Sequence, residues 1–434
     1  FEESITIEGE TISPETEGEA DVLIAKFTAD GELVWLQNQT TPVTSTSIAV
    51  SSNKFYTSGT FRNTMEINGE EYVSYGYQDA YLCSYDVNGD LNWVLTAGGE
   101  GMEYLSIVST DGFDNAYWSG EFTSDGTMNF IDEVIETEPT DGHVYLSKIT
   151  PDGELDWLRR FGNDSDDSGW DNYNCWPTDI ITTDEGITYL KGWNGDGVYF
   201  GDILLENSFE DGSYSYFVGK FASDGEPIWI NTIAEKSYGF DYNNMDIDID
   251  GNIYFGAEAR DDIRFDETLY EPEGSDLFIA KYSNDGEFVW AKTLIGEIGD
   301  NNFIASVCEM DGTSLYFAGN IENKLIFNDN TYHSAELSGF VAMLGTYEED
   351  DIEELQKCKF NIYPNPTHSG LINIENKKNN KYQLSIYDIS GNIILEKSIN
   401  QKRKEISLKN LSKGVYIFLI NDSITTGIKK VIYK

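Results

Sequence analysis

The stretch that decides the fold recurs along the chain, and its clearest copy, residues 276–290, reads DLFIAKYSNDGEFVW. Apolar and polar residues alternate up to Tyr282, which predicts a β-strand. Asp285 and Gly286 follow, and Asp-Gly is the strongest short signal for a hairpin turn. The strand that leaves the turn reaches Trp290. This stretch therefore predicts a β-hairpin whose second strand carries a tryptophan.

The same hairpin occurs six times in residues 1–346, including a degenerate last copy that ends near Gly345. Its tryptophans lie 58, 64, 72 and 61 residues apart, a period that fits a four-stranded propeller blade with long loops. We expect these tryptophans to be structural anchors that pack between strands or adjacent blades. They are Trp35, Trp93, Trp157, Trp229 and Trp290. One column of the first strand holds only small residues, namely Ala25, Cys83, Ser147, Gly219, Ala280 and Ala342.

A second hairpin precedes the first in five repeats, and its strand places an aromatic residue before mostly small ones, as in Tyr56–Gly59. Small residues favour close backbone approach, so we place this strand near the axis. Two hairpins per repeat predict an all-β propeller of about six four-stranded blades. The units resemble those of bacterial β-propeller repeat proteins. A repeated β-sandwich array is the alternative, although each unit lacks the seven strands of a sandwich.

Charge divides the chain into two regions. Residues 357–434 hold 14 of the 28 Lys and Arg but only 5 of the 77 Asp and Glu, so their net charge is +9, whereas the preceding 356 residues carry −58. This contrast predicts a propeller domain at 1–346, an acidic linker at 347–356 and a second domain at 357–434. The acidic field excludes nucleic acid and anionic membrane surfaces as partners of the propeller. No apolar run is long enough to span a membrane.

The second domain begins with a proline-containing segment and continues as short apolar alternations separated by turns. This pattern predicts a small Ig-like β-sandwich. Four motifs mark it: Tyr363-Pro364-Asn365-Pro366-Thr367, Tyr387-Asp388 with Gly391, Gly414-Val415-Tyr416, and Lys429-Lys430. Together they resemble the type A C-terminal sorting domain of proteins exported by the bacterial type IX secretion system.

That resemblance implies recognition by the type IX machinery at the outer membrane and a secreted or cell-surface location. The family's sorting domain is usually removed during release or attachment to lipopolysaccharide. Because the chain starts at Phe1 without a Met or a leader, we expect a processed or truncated form.

Catalysis finds little support in the sequence. The three histidines are isolated, and no zinc, nucleophile-elbow, phosphate-loop or dinucleotide motif occurs. The four cysteines lack CxxC spacing, so we expect free, mostly buried thiols. We therefore predict a non-enzymatic protein for binding or adhesion. A polysaccharide hydrolase or lyase on the same scaffold is the alternative, since so many acidic residues always contain close carboxylate pairs.

Two acidic segments are candidate sites. Asp246, Asp248 and Asp250 alternate like the first half of a Ca²⁺ loop, and Ca²⁺ is the one cofactor that the sequence suggests. The same alternation also fits a strand with one wet face. Residues 163–174 form an insertion in the longest repeat and could contact a glycan or protein ligand. Its candidate ligand residues are Asp164, Asp166, Asp167, Trp170 and Asp171. Related loops at 98–104, 237–242 and 296–302 should gather with it on one face.

Overall fold

The computed structural model describes two compact units, residues 1–346 and 347–434. Its described residues are all those outside 1–3, 14–20, 40–42, 124–126, 132, 137–141, 163–174, 195–197, 206–213, 238–244, 260–262, 266–267, 273–275, 297–302, 310–313, 328–329, 346–359, 365–366, 377–380, 388–392 and 422–425. Within them every regular element is a β-strand. Among these residues we find no helix that could cross a membrane.

The first unit contains six repeats. Repeat 1 consists of β1 (Ile5–Ile7), β2 (Glu10–Ile12), β3 (Val22–Phe27) and β4 (Leu33–Gln39). Repeat 2 consists of β5 (Val43–Val50), β6 (Lys54–Phe61), β7 (Thr64–Ile67), β8 (Glu70–Val73), β9 (Asp79–Asp86) and β10 (Leu91–Gly99). Repeat 3 consists of β11 (Ser106–Thr110), β12 (Ala116–Thr123), β13 (Thr127–Phe130), β14 (Glu133–Glu136), β15 (Gly142–Ile149) and β16 (Leu155–Gly162).

The remaining repeats follow the same order. Repeat 4 consists of β17 (Cys175–Thr182), β18 (Thr188–Asn194), β19 (Val198–Phe200), β20 (Ile203–Leu205), β21 (Tyr214–Phe221) and β22 (Pro227–Ser237). Repeat 5 consists of β23 (Met245–Ile247), β24 (Ile253–Ala259), β25 (Ile263–Phe265), β26 (Thr268–Tyr270), β27 (Asp276–Tyr282) and β28 (Phe288–Leu294). Repeat 6 consists of β29 (Phe303–Glu309), β30 (Ser314–Phe327) and β31 (Asn330–Gly345).

Each of repeats 2 to 5 builds a four-stranded antiparallel sheet in chain order. These sheets are β5-β6-β9-β10, β11-β12-β15-β16, β17-β18-β21-β22 and β23-β24-β27-β28. In the described residues the sheets of repeats 1 and 6 hold two and three strands, β3-β4 and β29-β30-β31. In repeats 2 to 6 the strand with the aromatic and small residues is the second strand of the sheet, so our placement of it at the axis was wrong by one strand.

A third hairpin, which the sequence did not predict, is inserted between the second and third strands of repeats 2 to 5. In repeat 3 it is β13-β14, which pairs with β10 of repeat 2 through Ala97 and Phe130. In repeat 4 it is β19-β20, which meets β16 at Gly162 and Tyr199. The inserted hairpins of repeats 3 and 4 therefore extend the sheet of the preceding repeat, whereas β7-β8 and β25-β26 form separate two-stranded sheets.

The turn before each tryptophan strand adopts the backbone that glycine permits. Gly286 has φ +84°, and its N–H donates to the Ser283 carbonyl at 2.8 Å. The strand register shifts by one residue just beyond this turn, between Lys281 and Tyr282. A turn with one left-handed glycine and a following bulge explains this geometry. The predicted hairpin is therefore correct, with a bulge in place of a two-residue turn.

Three of the five tryptophans, Trp93, Trp157 and Trp229, lie against a turn of the next repeat, which confirms the predicted packing for these three. Trp229 Nε1 donates to the Asn284 carbonyl at 3.1 Å, and a Cβ added to Gly286 would lie 3.1 Å from the Trp229 ring. The same contact joins Trp93 to Pro151 and Gly153, and Trp157 to Ser223 and Gly225. A glycine is needed at the turn because the ring occupies the space of a side chain.

Apolar clusters fill the space between consecutive sheets. Tyr56 and Leu82 of repeat 2 pack with Trp118 and Tyr145 of repeat 3. Further clusters join repeats 1 and 2, 3 and 4, 4 and 5, and 5 and 6. The sheets of repeats 2 to 5 are thus each covered on both faces by the sheets of the neighbouring repeats. This is the packing of a β-propeller and differs from that of separate sandwiches.

The second unit is a β-sandwich. Its strands are β32 (Phe360–Tyr363), β33 (Leu371–Asn376), β34 (Tyr382–Tyr387), β35 (Ile393–Ile399), β36 (Arg403–Ser407), β37 (Gly414–Asn421) and β38 (Thr426–Tyr433). They form two sheets, β32-β33-β36 and β35-β34-β37-β38. Ile372 and Ile374 of the first sheet share a buried core with Leu384 and Phe418 of the second. The predicted sandwich is therefore correct.

Candidate functional site

The first strands of five repeats line one cavity of about 1330 Å³ at the centre of the first unit. We call this cavity the channel. These strands are β5, β11, β17, β23 and β29, and their lining segments are 47–52, 104–112, 178–182, 245–246 and 306–308. The strands run side by side along the channel, so we name its two ends after the chain direction. The loop mouth lies where the strands begin, at Arg62, Gln78 and Tyr104, and the turn mouth lies where they end.

Side chains of one wall strand accept hydrogen bonds from the backbone of the next. The acceptor and donor residues are Ser47 with Val108 (3.4 Å), Ser109 with Thr182 (2.9 Å) and Asp179 with Met245. Burial raises the pKa of Asp179 to about 6, although the Met245 amide and nearby Lys191 oppose the shift. Hydrogen bonds to these side chains therefore connect β5 with β11, β11 with β17, and β17 with β23.

Repeat 4 differs from its neighbours by one residue of its second strand, β18, which lies next to the wall strand β17. Lys191 is fully buried at a position where other repeats have Ser58, Ser119 or Gly256. Its ammonium lies 5.7 Å from the centre of the Tyr216 ring and 5.9 Å from that of the Phe255 ring. A buried cation requires such compensation, and Asp179 supplies the opposite charge.

Gln78 organises the loop mouth. Its Nε2 donates to Thr60 Oγ1 at 3.0 Å and to the Glu103 carbonyl at 2.7 Å. Its Oε1 accepts from Arg62 Nε at 2.7 Å. The amide of Gln78 thus holds the Arg62 guanidinium against the loop that leads into β11.

Two segments, 74–78 and 99–104, are joined at this mouth. The Tyr77 N–H donates to the Gly101 carbonyl at 3.1 Å, and the Glu103 N–H donates to the Gln78 carbonyl at 3.0 Å. At Gly76 an added Cβ would lie 2.3 Å from the Gly99 carbonyl oxygen, so only glycine fits there. The two segments therefore form one tightly packed rim. Of the loops predicted to share a face, only 98–104 lies wholly within the described residues.

Three tyrosines of this rim are exposed: Tyr75 at 58%, Tyr77 at 67% and Tyr104 at 44%. We call them the tyrosine rim. The sequence pointed to the loop of Tyr104 but not to Tyr75, Tyr77, Arg62 or Gln78. A signal was present, because the Tyr-Gly-Tyr of residues 75–77 has no counterpart before β27, where the chain reads PEGS.

Three carboxyl groups are buried beside the rim, on Asp79, Glu103 and Glu121. Neither oxygen of Glu103 or Glu121 makes a hydrogen bond of good geometry. Burial, reinforced by Asp79 and Glu121, raises the pKa of Glu103 to about 9, although the Gly99 amide acts in the opposite direction. Burial likewise raises the pKa of Asp79 to about 6 and that of Glu121 well above its usual range. Glu103 is therefore neutral at pH 7.

The predicted metal residues lie at the turn mouth. Asp248 accepts the N–H groups of Asp250 (3.0 Å) and Asn252 (2.8 Å) and the hydroxyl of Tyr254 (3.0 Å). Burial alone would raise the pKa of Asp248, but Asn252, Tyr254 and Lys281 together lower it. Asp246 lines the channel and Asp250 is exposed. Across the described residues no three His, Cys, Asp or Glu side chains group to hold a metal, and Ca²⁺ at this turn stays a prediction.

Several other predicted residues lie outside the described part of the chain. They are Asp164, Asp166, Asp167, Trp170 and Asp171 of the insertion, and Asn365, Pro366, Asp388 and Gly391 of the sorting motifs. Tyr363 ends β32 and Pro364 follows it, while Gly414, Val415 and Tyr416 begin β37. Lys429 and Lys430 pair with Phe418 and Ile417 in the last hairpin. Cys83 and Cys175 are free and buried as expected, whereas Cys308 is exposed.

Comparison with known proteins identifies the second unit. Residues 361–434 match the family model described as the secretion system C-terminal sorting domain. The C-terminal sandwich is therefore a sorting domain, and the chain is a type IX secretion cargo that is exported to the cell surface or the extracellular space. No curated protein matches the chain.

Two solved structures resemble the whole chain weakly. One is PorZ, titled an essential bacterial surface component of the type IX secretion system of Porphyromonas gingivalis; it is 10% identical, with 94% of this chain and 83% of that chain covered and a TM-score of 0.17. The other is the Trypanosoma rangeli sialidase in complex with sialic acid, 10% identical, with 96% and 88% covered and a TM-score of 0.29. The propeller assignment follows from the strand pairing above, and neither superposition contributes to it.

Proposed function

We propose that the exported propeller is a binding or adhesion protein that takes its ligand into the channel through the loop mouth. The observation that carries this proposal is the channel itself, a concave space of about 1330 Å³ whose lining includes the exposed Tyr104 and Arg62. A concave site with aromatic walls and a few fixed polar groups is the usual form of a small-ligand site.

The hydrogen bonds that two carboxyl groups of the channel wall accept agree with binding without catalysis. Asp111 accepts the amides of Phe113 (2.9 Å) and Asn115 (3.0 Å) as well as the side chain of Asn115 (2.8 Å). Asp179 accepts the amides of Ile180 and Met245. Asp111 and Asp179 thus hold the turn and the wall together, which leaves Asp184 and Asp246 as the other acidic side chains that line the channel.

The charge of the protein limits the ligand. The first 356 residues carry −58, and the acidic side chains of the channel wall add to this field locally. Anionic ligands are repelled by such a field, and neutral or cationic ones are admitted. We therefore expect an uncharged or cationic glycan or peptide as the ligand.

The test is a channel-filling substitution in the full chain. Ile48 lines the channel and is 56% exposed, so Ile48→Trp should fill the space without disturbing the core. Val134→Trp, at a 67% exposed residue of β14 outside the channel, is the matched control. We expect a glycan and peptide array to show binding that Ile48→Trp weakens at least tenfold and Val134→Trp leaves unchanged.

The same samples distinguish the alternative function. Glycans bound on the array should remain intact during prolonged incubation with the wild-type chain. Cleavage that survives dilution would favour the hydrolase or lyase, and equal binding by Ile48→Trp would place the ligand outside the channel.

A further inference from the structure

We propose that Tyr75, Tyr77 and Tyr104 form a stacking platform for the rings of an uncharged glycan, with Arg62 as the hydrogen-bond donor to its hydroxyl groups. The inference rests on the proposed function, because it places the ligand at the loop mouth of the channel. It goes further by naming the residues that contact the ligand and the class of ligand.

The first observation is that packing does not explain these tyrosines. Each exposes between 44% and 67% of its surface, whereas Tyr56, Tyr81 and Tyr117 in the same unit are fully buried. Repeat symmetry does not explain Tyr75 and Tyr77 either, since the corresponding positions before β27 are Pro272 and Gly274. Tyr104 lines the channel, and Tyr75 and Tyr77 lie in the segment that leads to Gln78, which also lines it. Exposed aromatic residues close to a cavity are a feature of recognition surfaces.

The second observation is that hydrogen bonds hold the backbone of the rim in place before a ligand binds. The Tyr75 N–H donates to Asp79 Oδ2 at 2.8 Å, and the Tyr77 N–H donates to the Gly101 carbonyl at 3.1 Å. The Tyr104 hydroxyl lies 3.1 Å from Met102 Sδ. Because the backbone on both sides of the mouth is fixed, little conformational freedom is lost when a ligand binds.

The third observation concerns the polar group at the mouth. Arg62 lines the channel and gives Nε–H to Gln78 at 2.7 Å. A guanidinium has five N–H donors, so donors remain for hydroxyl groups. Gln78 uses its own amide on Thr60, Glu103 and Arg62, and it is therefore a positioning residue.

These features favour a glycan over a peptide or an anion. An aromatic face is electron-rich, and the C–H groups on one face of a pyranose ring are weakly positive, so the two stack. The hydroxyl groups at the edge of the same ring need donors and acceptors, which Arg62 and the tyrosine hydroxyls supply. The −58 charge of the first 356 residues excludes strongly anionic sugars.

The experiment uses the full chain and a panel of neutral gluco-, manno-, xylo- and N-acetylglucosamine oligosaccharides, with uronate oligosaccharides and proline-rich peptides beside them. We expect a neutral oligosaccharide to bind, and Tyr77→Ala and Tyr104→Ala each to weaken it about tenfold. Tyr77→Phe should retain most of the affinity, because it keeps the stacking ring. Tyr199→Ala, at a tyrosine of β19 that is 45% exposed, is the matched control.

The outcomes separate this inference from the proposed function. Binding that Ile48→Trp blocks but Tyr77→Ala and Tyr104→Ala leave intact would overturn the platform and keep the channel as the binding site. Preference for uronates or for peptides would also overturn the platform. Failure of the whole panel and of the array would overturn both. Thermal unfolding of each variant serves as the folding check, since removal of exposed rings should leave the midpoint unchanged.

Discussion

At the scale of single residues, Glu103 is the least expected feature of the first unit. It is fully buried beside the tyrosine rim, close enough to Asp79 and Glu121 for their charges to act on it. An ionised carboxylate without hydrogen bonds is strongly unfavourable in such surroundings, so the protonated form is the one that folds. The folded protein therefore holds a proton on Glu103 that the unfolded chain releases at neutral pH.

The first prediction concerns the pH dependence of stability. The pKa of Glu103 is raised from 4.5 to about 9, so between these values the native state binds one more proton than the unfolded state. The free energy of unfolding should fall as pH rises through this window, by about 1.4 kcal/mol per pH unit from this group. Glu103→Gln should remove that part of the slope and stabilise the protein at pH 8, as measured by urea unfolding at several pH values.

Glu100→Gln is the control, because it removes an exposed carboxyl group from the same loop. The difference in slope between wild type and Glu103→Gln is the quantity to compare. Parallel curves for these two proteins from pH 5 to pH 9 would show that Glu103 is ionised in the fold.

At the scale of the element, the tryptophan of each fourth strand links two repeats. Trp229 belongs to β22 of repeat 4, yet its ring lies on Gly286 in the β27–β28 turn of repeat 5 and its Nε1 donates to the Asn284 carbonyl. The ring is partly buried in the cluster that these two repeats share. The hairpin motif contains a tryptophan and a turn glycine that can form this contact. Here the ring comes from repeat 4 and the glycine from repeat 5.

The second prediction is that Trp229→Ala destabilises the first unit by about 3 kcal/mol, the lower end of the range for emptying an aromatic site, because the ring is only partly buried. Since repeats stabilise their neighbours, the loss should appear in global unfolding. Ile228→Ala, at a half-exposed neighbour on the same strand, should change stability by less than about 1 kcal/mol. Chemical denaturation measures both, and an unchanged midpoint with lost ligand binding would mean that the ring contacts ligand.

At the scale of the whole molecule, the chain consists of two units with separate cores and opposite charge. Residues 1–346 and 347–434 each cluster as a compact unit, and residues 357–434 carry +9 against −58 for the rest. Separate cores are typical of domains that fold independently.

The third prediction follows from this division. Deletion of residues 357–434 should leave the propeller folded but unexported, trapped in the periplasm, because the sorting domain is the part that the type IX machinery recognises. Cell fractionation locates the truncated chain, and its strand-type circular dichroism and cooperative melting test the fold. A truncated chain in the medium at the wild-type level would contradict the role of the sorting domain, and an unfolded one would contradict the independence of the propeller.

Four C-terminal motifs resembled a sorting domain, and the match of residues 361–434 confirms it. The sequence by itself also determined the all-β class, the repeat and the hairpin turns. The reason is that these features depend on local chemistry. The left-handed backbone of Gly286 follows from Asp-Gly. The alternation before it did not predict burial, because Asp276–Tyr282 is buried at every position except Lys281, where sheets of neighbouring repeats cover both faces. The charge contrast is a sum over the chain.

The tertiary structure alone decided which strand lines the channel, where the inserted hairpins pair, and which side chains meet at the loop mouth. Gln78 contacts Thr60, Arg62 and Glu103, residues 18, 16 and 25 positions away, because the sheet of repeat 2 and the loop into repeat 3 come together there. The burial of Glu103 and the exposure of Tyr77 follow from the same meeting of segments. Such contacts depend on how sheets stack around the channel, and local sequence carries no record of that stacking.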